Sequence, residues 1–293
     1  MADRVLVTGA SGFVGRSVCE YLVKQGVQVL GGVRGSCQPI PGVELLEIGD
    51  VADVTPLRWA ELLGGVQVVV HCAALVHQMK GVADPRAYYR VNTKGTEVLA
   101  EAAAKAGVRR FVFLSTVKVL GESTKPGEKF YSDSPADPHD DYARSKWLAE
   151  QSLARIAENT DTDMVILRPP LIYGAGVGGN FRALMKLVAK GIPLPLGAVD
   201  NRRSVLGLPN LVELIALAVE SESRLGGVYL VSDDKDLSTP ELIKAIARSL
   251  CVQPRLLPVP VGLLRLMATI LGKADSVDRL CGSFQMDIEN TKA

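Results

Sequence analysis

The stretch Arg4-Val-Leu-Val-Thr-Gly-Ala-Ser-Gly-Phe-Val-Gly15 decides the fold, because it joins an apolar run to a helical segment through a glycine-rich turn. Gly9 allows the tight turn, Gly12 lets the backbone approach a pyrophosphate, and Gly15 lets the helix pack close to the strand. The helix N-terminus then presents free N–H groups and a positive dipole end to the phosphates. The stretch therefore predicts a dinucleotide-binding turn between a first strand and a first helix.

The same alternation of strand and helix patterns continues through the first half of the chain. Six short and mostly apolar runs predict strands that are covered on both faces: Arg4–Val7, Gln28–Val33, Val43–Ile48, Val66–Cys72, Phe111–Ser115 and Met164–Leu167. Amphipathic stretches between them predict helices at Gly15–Gln25, Val91–Ala106 and Tyr142–Asn159. This order predicts an α/β fold with a doubly wound parallel Rossmann sheet and right-handed crossovers.

The composition of the sequence changes after Pro169, where prolines and glycines cluster and the patterns of short helices and strands are mixed. We expect residues 1–168 to form the NAD(P)-binding Rossmann domain, rejoined by part of 205–232. Residues 169–293 are expected to form mainly a smaller, mixed α/β substrate-binding lobe over the carboxyl edge of the sheet.

Composition excludes several classes of protein. The chain has 47% hydrophobic and 22% charged residues, which excludes intrinsic disorder. Lys and Arg number 33 against 32 Asp and Glu, and this balance argues against a nucleic-acid partner. The five cysteines are scattered, which argues against a disulfide framework and a metal site. No signal peptide or long apolar span is found, so we expect a cytoplasmic protein without membrane insertion.

The end of the second predicted strand bears on the choice of nucleotide. A carboxylate about 20 residues beyond the glycines would bind the adenosine ribose and indicate NAD. This chain instead has Gly31-Gly-Val-Arg34, and Arg34 can pair with a 2′-phosphate, which favours NADP(H) over NAD(H). The alternative for Arg34 is a solvated surface charge. Asp50, at the end of the third strand, either accepts a hydrogen bond from the adenine amino group or caps the following turn.

Tyr142 and Lys146 are the candidate catalytic pair, because a spacing of four at a helix start places both on one helical face. A lysine ammonium near a phenol favours the phenolate and lowers the pKa of the tyrosine. Such a tyrosine can take a proton from a sugar hydroxyl or return one to a ketone. Upstream, the predicted strand Phe111–Ser115 leads into Thr116, which puts two hydroxyls at the carboxyl end of the sheet, where this fold binds ligands.

Taken together, these motifs resemble the extended short-chain dehydrogenases/reductases of the NAD-dependent epimerase/dehydratase family, which includes sugar-nucleotide 4-epimerases and 4-ketoreductases. The similarity covers essentially the whole chain. It is carried by Thr8 to Gly15, His71-Cys-Ala-Ala74, Asn92, Gly95-Thr96, Ser115-Thr116, Tyr142 with Lys146, and Leu167-Arg168-Pro169.

The resemblance implies roles for individual residues. Thr116 polarises the substrate oxygen, Tyr142 is the acid and base, and Lys146 holds the nicotinamide ribose. Cofactor contacts are implied for Gly9, Ser11, Gly12, Phe13, Val14, Gly15, Arg34, Asp50, Val51, Ala73, Ala74, Asn92, Tyr142, Lys146 and Pro169. Contacts to the nucleotide-sugar substrate are implied for Lys118, Asn180 and Arg203. The alternatives are a helix cap for Asn180 and a solvated loop charge for Arg203.

The two positions after Thr116 separate the activities of this family. Dehydratases carry an Asp-Glu pair there, whereas Val117 and Lys118 leave water elimination without its acid and base. The pattern instead resembles members that act at carbon 4 of UDP-N-acetyl sugars. We therefore expect reduction of a UDP-4-keto-6-deoxy-N-acetylhexosamine with NADPH. The alternative is a UDP-sugar 4-epimerase with tightly bound NAD, and a more remote one is a non-catalytic nucleotide-binding protein.

The resemblance also implies a homodimer in which the helices at Val91–Ala106 and Tyr142–Asn159 pair across a two-fold axis. The alternative is that both helices only cover the sheet. Residues 286–293 resemble a segment that relatives continue with a last helix, so we expect the substrate lobe to lack that helix. The apolar residues that favour the dimer are Val91, Val98, Leu99, Ala102, Ala103, Trp147, Leu148, Leu153 and Ile156.

Overall fold

The structure is a computed structural model that describes residues 3–76, 84–270, 272 and 274–292. Its strands are β1 (Arg4–Thr8), β2 (Gln28–Val33), β3 (Val43–Glu47), β4 (Val68–His71), β5 (Arg110–Leu114), β6 (Asp163–Arg168), β7 (Leu171–Tyr173), β8 (Val205–Gly207) and β9 (Gly227–Leu230). Seven of them form one sheet in the order β3-β2-β1-β4-β5-β6-β9, and β7 pairs with β8. Every pairing in the large sheet is parallel.

The described helices are α1 (Phe13–Lys24), α2 (Pro56–Leu62), α3 (Pro85–Tyr88), α4 (Gly95–Lys105), α5 (Asp141–Glu158), α6 (Gly179–Ala189), α7 (Leu208–Glu220), α8 (Thr239–Ser249), α9 (Val261–Ile270), α10 (Ala274–Cys281) and α11 (Glu289–Lys292). A π-helical segment, Tyr89–Lys94, leads into α4, and a 3-10 turn, Val117–Leu120, follows β5. Among these helices, none combines the length and the apolar character needed to cross a bilayer.

The large sheet lies between two apolar cores, because side chains alternate along each strand. Val5 and Val7 of β1 pack in the same core as residues of α1 and α7. Leu6, between them, packs on the opposite face with residues of α2, α4 and α5. Helices therefore cover both faces of a parallel sheet, which confirms the predicted doubly wound fold and explains why its strands are apolar throughout.

The edge strand β9 brings a late part of the chain back to this sheet, since Val228 and Tyr229 are in register with Ile166 and Leu167 of β6. A third core lies outside the sheet and contains residues of α6, α8 and α9, among them Phe181. The division into a 1–168 domain and a 169–293 lobe stays a prediction.

Five of the apolar residues that favour a homodimer are buried inside one protomer. They pack in the core on the face of the sheet that contains Leu6, which agrees with the alternative that the two helices only cover the sheet. These residues are Val91, Leu99, Ala102, Ala103 and Leu153. An apolar helix face gives the same periodicity whether a sheet or a second subunit covers it. These five residues therefore do not favour a dimer, and the homodimer stays a prediction.

Candidate active site

The glycine loop between β1 and α1 is packed too closely for side chains. Gly9 has a φ of +70°, and a Cβ atom at Gly9 would lie 2.8 Å from the backbone nitrogen of Ala73. A Cβ atom at Gly15 would lie 2.2 Å from the carbonyl oxygen of Gly9. The turn, the helix and the loop after β4 therefore approach one another as the sequence predicts.

The N-terminus of α1 directly follows this loop. Gly12 is the N-cap residue, no described side chain caps the helix, and its first turn contains no acidic residue. The first N–H groups and the positive end of the helix dipole are thus available to an anion. The loop and the helix end fit the pyrophosphate of a dinucleotide, which leaves open which nucleotide binds.

Two residues at the adjacent strand ends bear on that choice. Arg34 directly follows β2 and is exposed, with no hydrogen-bond or ion-pair partner for its side chain among the described residues. Asp50 caps a turn, because its Oδ1 accepts a hydrogen bond from the Ala52 N–H at 3.0 Å. Its Oδ2 lies 2.9 Å from Nη2 of Arg90. The turn-capping alternative thus matches the observed contact, and an adenine contact by Asp50 stays a prediction.

Two of the three predicted catalytic residues, Thr116 and Lys146, lie at the carboxyl end of β5, and Tyr142 lies one helical turn before Lys146. Thr116 follows that strand, is buried, and begins the 3-10 turn by accepting a hydrogen bond from the Lys118 N–H at 3.3 Å. Tyr142 and Lys146 lie in the first two turns of α5, whose N-cap Asp140 accepts from the Ala143 N–H at 2.7 Å. Nζ of Lys146 donates to the carbonyl oxygen of the last β5 residue at 2.7 Å.

The pKa of Tyr142 shifts in the direction opposite to the one expected. Burial raises it, and the nearby Asp140 carboxylate and Tyr88 phenol raise it further. Burial also lowers the pKa of Lys146 to about 8. The Lys146 ammonium lies 4.3 Å from the centre of the Phe113 ring and bonds a backbone carbonyl. Desolvation therefore sets the direction of the shift, and the neutral phenol is the favoured form.

The other predicted cofactor contacts lie along the same edge of the sheet, because the carboxyl ends of parallel strands share one edge. Asn92 is fully engaged: its Oδ1 accepts from the Leu75 N–H at 2.7 Å, and its Nδ2 donates to Oγ of Ser145 at 3.0 Å. The remainder are Ser11 in the glycine loop, Phe13 and Val14 in α1, Val51 after β3, Ala73 and Ala74 after β4, and Pro169 after β6.

The three predicted substrate contacts lie on different elements. Lys118 is in the 3-10 turn, and its Nζ bridges the carboxylates of Asp140 and Glu122. Asn180 is exposed in the first turn of α6. Nη1 of Arg203, before β8, donates to the carbonyl oxygens of Arg279 and Gly282 at 2.7 and 3.0 Å. The Lys118 charge is already neutralised, which makes it a poor partner for a diphosphate. Arg203 is held by the protein instead of being solvated.

His71, at the end of β4, joins the last residue of β1 to the first turn of α4. Oγ1 of Thr96 donates to the Asn92 carbonyl oxygen at 2.7 Å, so it accepts from Nε2 of His71 at 3.0 Å. Nδ1 of His71 then accepts from Oγ1 of Thr8 at 2.6 Å. This assignment requires a neutral ring, and burial lowers the pKa of His71 to about 3. The imidazole is a structural connector here and remains uncharged at neutral pH.

We expect this buried imidazole to make the protein sensitive to acid. Its pKa is 6.5 when unfolded and about 3 when folded, so the unfolded chain binds the proton first. The contribution of His71 to stability is complete above about pH 6.5 and falls by about 1.4 kcal/mol per pH unit down to about pH 3. Urea unfolding across that window measures the slope. The slope of stability against pH should become flatter in His71→Asn. It should stay unchanged in the control His139→Asn, because His139 is exposed. Equal slopes in all three proteins would contradict the assignment.

The sequence pattern gives no role to two charged residues that are buried near the predicted catalytic residues. Nη2 of Arg168, at the end of β6, lies 2.6 Å from Oε2 of Glu150 in α5. Oγ of Ser115 donates to Oε1 of the same carboxylate. Two signals could have found the pair: Glu150 lies one helical turn after Lys146, and Arg168 is a charge that directly follows the apolar run Met164–Leu167.

A phosphate-binding glycine loop and a tyrosine–lysine pair on one edge of a parallel sheet define a class of nicotinamide-dependent enzymes. The model of the NAD-dependent epimerase/dehydratase family matches residues 5–232. The chain belongs to this family, which confirms the resemblance, the enzymatic nature of the protein and the prediction of a nicotinamide cofactor.

Similar proteins extend this finding over the whole chain. A UDP-glucose 4-epimerase of Vibrio cholerae is 41% identical over 100% of this chain and 89% of its own length. The N-acetyl-alpha-D-glucosaminyl-diphospho-ditrans,octacis-undecaprenol 4-epimerase of Escherichia coli O157:H7 is 32% identical over 98% of this chain and 88% of its own. The structure of a Bacillus cereus UDP-glucuronic acid 4-epimerase in complex with NAD has the same fold, with a TM-score of 0.76 at 21% identity over 99% of this chain and 91% of that one.

Proposed function

We propose that this protein is a 4-epimerase of UDP-linked hexoses that keeps its nicotinamide dinucleotide bound between turnovers. The observation that carries the proposal is the position of Thr116 and Lys146 at the carboxyl end of β5, with Tyr142 one helical turn before Lys146 and no carboxylate at positions 117 and 118. A hydroxyl, a phenol and an ammonium suffice to move a proton at a sugar hydroxyl. Elimination of water needs a further acid and base, which Val117 and Lys118 do not supply.

The similarity to named epimerases supports this function over the reductase that the sequence patterns favoured. The Vibrio cholerae relative is a UDP-glucose 4-epimerase, and its 41% identity extends over the whole chain. The Escherichia coli relative acts at the same carbon of an N-acetylhexosamine carried by a polyprenyl diphosphate. The substrates to test therefore include both plain and N-acetylated hexoses.

Each catalytic residue has a distinct part in the proposed reaction. When bound, the nicotinamide supplies the reversible removal of hydrogen, with its electron pair, from carbon 4. Tyr142 accepts the proton of the 4-hydroxyl and returns it, and the Thr116 hydroxyl holds the same oxygen by a hydrogen bond. Lys146 binds the nicotinamide ribose. Its pKa of about 8 keeps the ammonium mostly charged at neutral pH. This positive charge lies one helical turn from Tyr142, whose phenolate the proposed reaction requires although burial favours the neutral phenol.

The proposal is tested by supplying the purified protein with UDP-glucose, UDP-galactose and their N-acetylated counterparts without added cofactor. NMR of the sugar signals should show interconversion of the two epimers of at least one pair. Nucleotide extracted from the denatured protein identifies the retained cofactor. Absence of interconversion, with consumption of a 4-keto sugar only when NADPH is added, would replace the epimerase by the reductase.

The reductase is the second candidate, and Arg34 is the observation that favours it. The side chain is exposed at the end of β2 and has no partner among the described residues, so it is free to meet a 2′-phosphate. Net reduction commonly draws on NADPH, whereas an enzyme that recycles its cofactor has no such need. A selective preference for NADPH would therefore favour the reductase.

If Arg34 selects NADP(H), Arg34→Ala should weaken NADPH binding much more than NADH binding, because only NADPH carries the 2′-phosphate. A charge-assisted hydrogen bond contributes about 1.5–3 kcal/mol, so we expect a loss of about tenfold or more. Titration calorimetry with both nucleotides measures the difference. Arg248→Ala, at another exposed arginine in α8, is the matched control. Equal effects on NADPH and NADH would identify Arg34 as a surface charge.

A further inference from the structure

Glu150 and Arg168 form a buried ion pair behind the catalytic residues, and neither has a part in the chemistry proposed above. We propose that this pair is a positioning device that holds Thr116 and Lys146 in their catalytic places. The activity measurements that test this inference rest on the proposed function. A second measurement, the affinity for the nucleotide, is independent of it.

The carboxylate of Glu150 is bound from two sides. Arg168 donates to it through Nη2 at 2.6 Å to Oε2 and through Nε at 3.1 Å to Oε1, which is a bidentate pair. The Ser115 hydroxyl donates to Oε1 as well. Nη1 of Arg168 donates to the Ser132 carbonyl oxygen at 3.1 Å. The two charged side chains are only 4% and 2% exposed, so water contributes almost nothing to their solvation.

The pair connects three elements that carry predicted site residues. Glu150 is one turn after Lys146 on the same face of α5. Ser115 immediately precedes Thr116, and its N–H donates to the Leu167 carbonyl oxygen of β6 at 2.8 Å. Arg168 ends β6 next to Pro169. Loss of the carboxylate would therefore free the ends of two strands from the catalytic helix at one point.

Stability alone is a weak reason for such a pair. Taking two charges out of water costs several kcal/mol per ion, and apolar residues of similar volume are often as stable or more stable. What an apolar replacement cannot reproduce is the hydrogen bond from Ser115 and the fixed angle of a bidentate contact. The geometry therefore points to a positional role, which an apolar pair would lose while keeping the fold.

The chain contains a matched control at the other end of the same two strands. Arg110 begins β5 and Asp163 begins β6, and their buried side chains are 2% and 9% exposed. Nη2 of Arg110 lies 3.0 Å from Oδ2 of Asp163. This second pair joins the same strands, with similar burial, at the edge opposite to the catalytic residues. A merely structural role would give both pairs the same effect on activity.

The Glu150 charge also acts on Lys146 through space. Lys146 faces His71 at the end of β4 and Cys72 directly after it, the Phe113 ring from β5, and Glu150 from its own helix. Burial lowers the pKa of Lys146, while the charge of Glu150 raises it. A neutral residue at position 150 should therefore make the ammonium lose its proton at lower pH. The alkaline limb of the pH–rate profile should shift to lower pH.

The experiment compares Glu150→Gln, the double variant Glu150→Met/Arg168→Met and Ser115→Ala with the control Arg110→Met/Asp163→Leu. Each protein is measured for thermal unfolding, affinity for NAD and NADPH by calorimetry, kcat for the interconverted UDP-sugar, and its pH profile. We expect the double variants at both sites to fold. We expect Glu150→Gln and the Glu150/Arg168 double variant to lose about 100-fold in kcat, since a displacement of about 1 Å can have that effect.

Ser115→Ala removes only one hydrogen bond, so it should fold and still lose about tenfold in kcat. This keeps the test valid if the Glu150/Arg168 double variant fails to fold. The control variant should keep its kcat and its nucleotide affinity even if its melting temperature falls. Nucleotide affinity should fall in the Glu150 variants whatever the sugar substrate is.

The positional role is overturned if the Glu150 and Ser115 variants keep wild-type kcat, alkaline limb and nucleotide affinity. It is also overturned if their kcat falls only in step with stability, as in the control. A wild-type protein without epimerase activity would instead refute the proposed function. In that case the comparison of nucleotide affinity between the two ion pairs still decides the positional role.

Discussion

Tyr142→Phe is expected to lower turnover by about 10²- to 10⁴-fold while the affinity for the nucleotide changes by less than about threefold. The phenol hydroxyl is the only group removed, and it is the one that exchanges a proton with the sugar oxygen in the proposed reaction. The ring should keep its edge-on contact with Tyr88, whose centre lies 6.4 Å away. Steady-state rates and nucleotide calorimetry on the same preparation separate loss of chemistry from loss of binding.

The neighbouring ring provides the control for this variant. Tyr88 is 5% exposed and packs against Tyr142, so Tyr88→Phe makes the same chemical change in the same surroundings. We expect it to keep its turnover within a few-fold. Tyr142 would lose its assignment as acid and base if its phenylalanine variant retained more than about a hundredth of the wild-type rate, or if both variants behaved alike.

Gly15→Ala is expected to reduce nucleotide affinity by about 100-fold or more. The added Cβ would lie 2.2 Å from the carbonyl oxygen of Gly9 and 2.8 Å from its carbonyl carbon. Both atoms belong to the backbone, so the loop itself must move. The N–H groups of the loop and of the first turn of α1 would then lose their common direction, which an anion at a helix N-terminus requires. Calorimetric titration measures the loss, and circular dichroism checks that the sheet and helices remain.

A glycine without such a contact is the control for this prediction. Gly262 lies in α9, and a Cβ atom there would meet nothing within 4 Å. Gly262→Ala should bind nucleotide like the wild type and gain up to about 1 kcal/mol in stability from helix propensity. The role of the loop would be refuted if Gly15→Ala bound nucleotide as tightly as Gly262→Ala.

Local patterns were sufficient for the glycine loop and for six of the seven strands of the large sheet, all except the edge strand β9. The predicted strand Gln28–Val33 has the observed bounds, and the helix predicted at Tyr142–Asn159 differs from α5 by one residue at each end. Strands covered on both faces produce apolar runs that need no long-range information. Gly12 and Gly15 make their close contacts with the nearby Gly9, so their spacing can be recognised in the sequence, whereas the close approach of Gly9 to Ala73 joins distant parts of the chain.

Contacts between distant parts of the chain could not be predicted from local sequence patterns. The π-helical segment Tyr89–Lys94 looks like ordinary helix in the sequence, and the Glu150–Arg168 pair depends on how α5 packs on β6. The direction of the Tyr142 pKa shift was wrong for a similar reason. Spacing puts a lysine on the same helical face, but it does not reveal that packing partly withdraws the phenol from water and places the Asp140 carboxylate near it.

The most direct test of the proposed function follows a UDP-hexose that carries deuterium at carbon 4. The purified protein receives this substrate in ordinary water without added cofactor, and NMR follows both the sugar configuration and the label. An epimerase that removes and returns the same hydrogen through a retained nicotinamide should interconvert the two carbon-4 epimers with the deuterium still on carbon 4. Exchange of the label with water during interconversion, or no interconversion of any UDP-hexose, would contradict the proposed function.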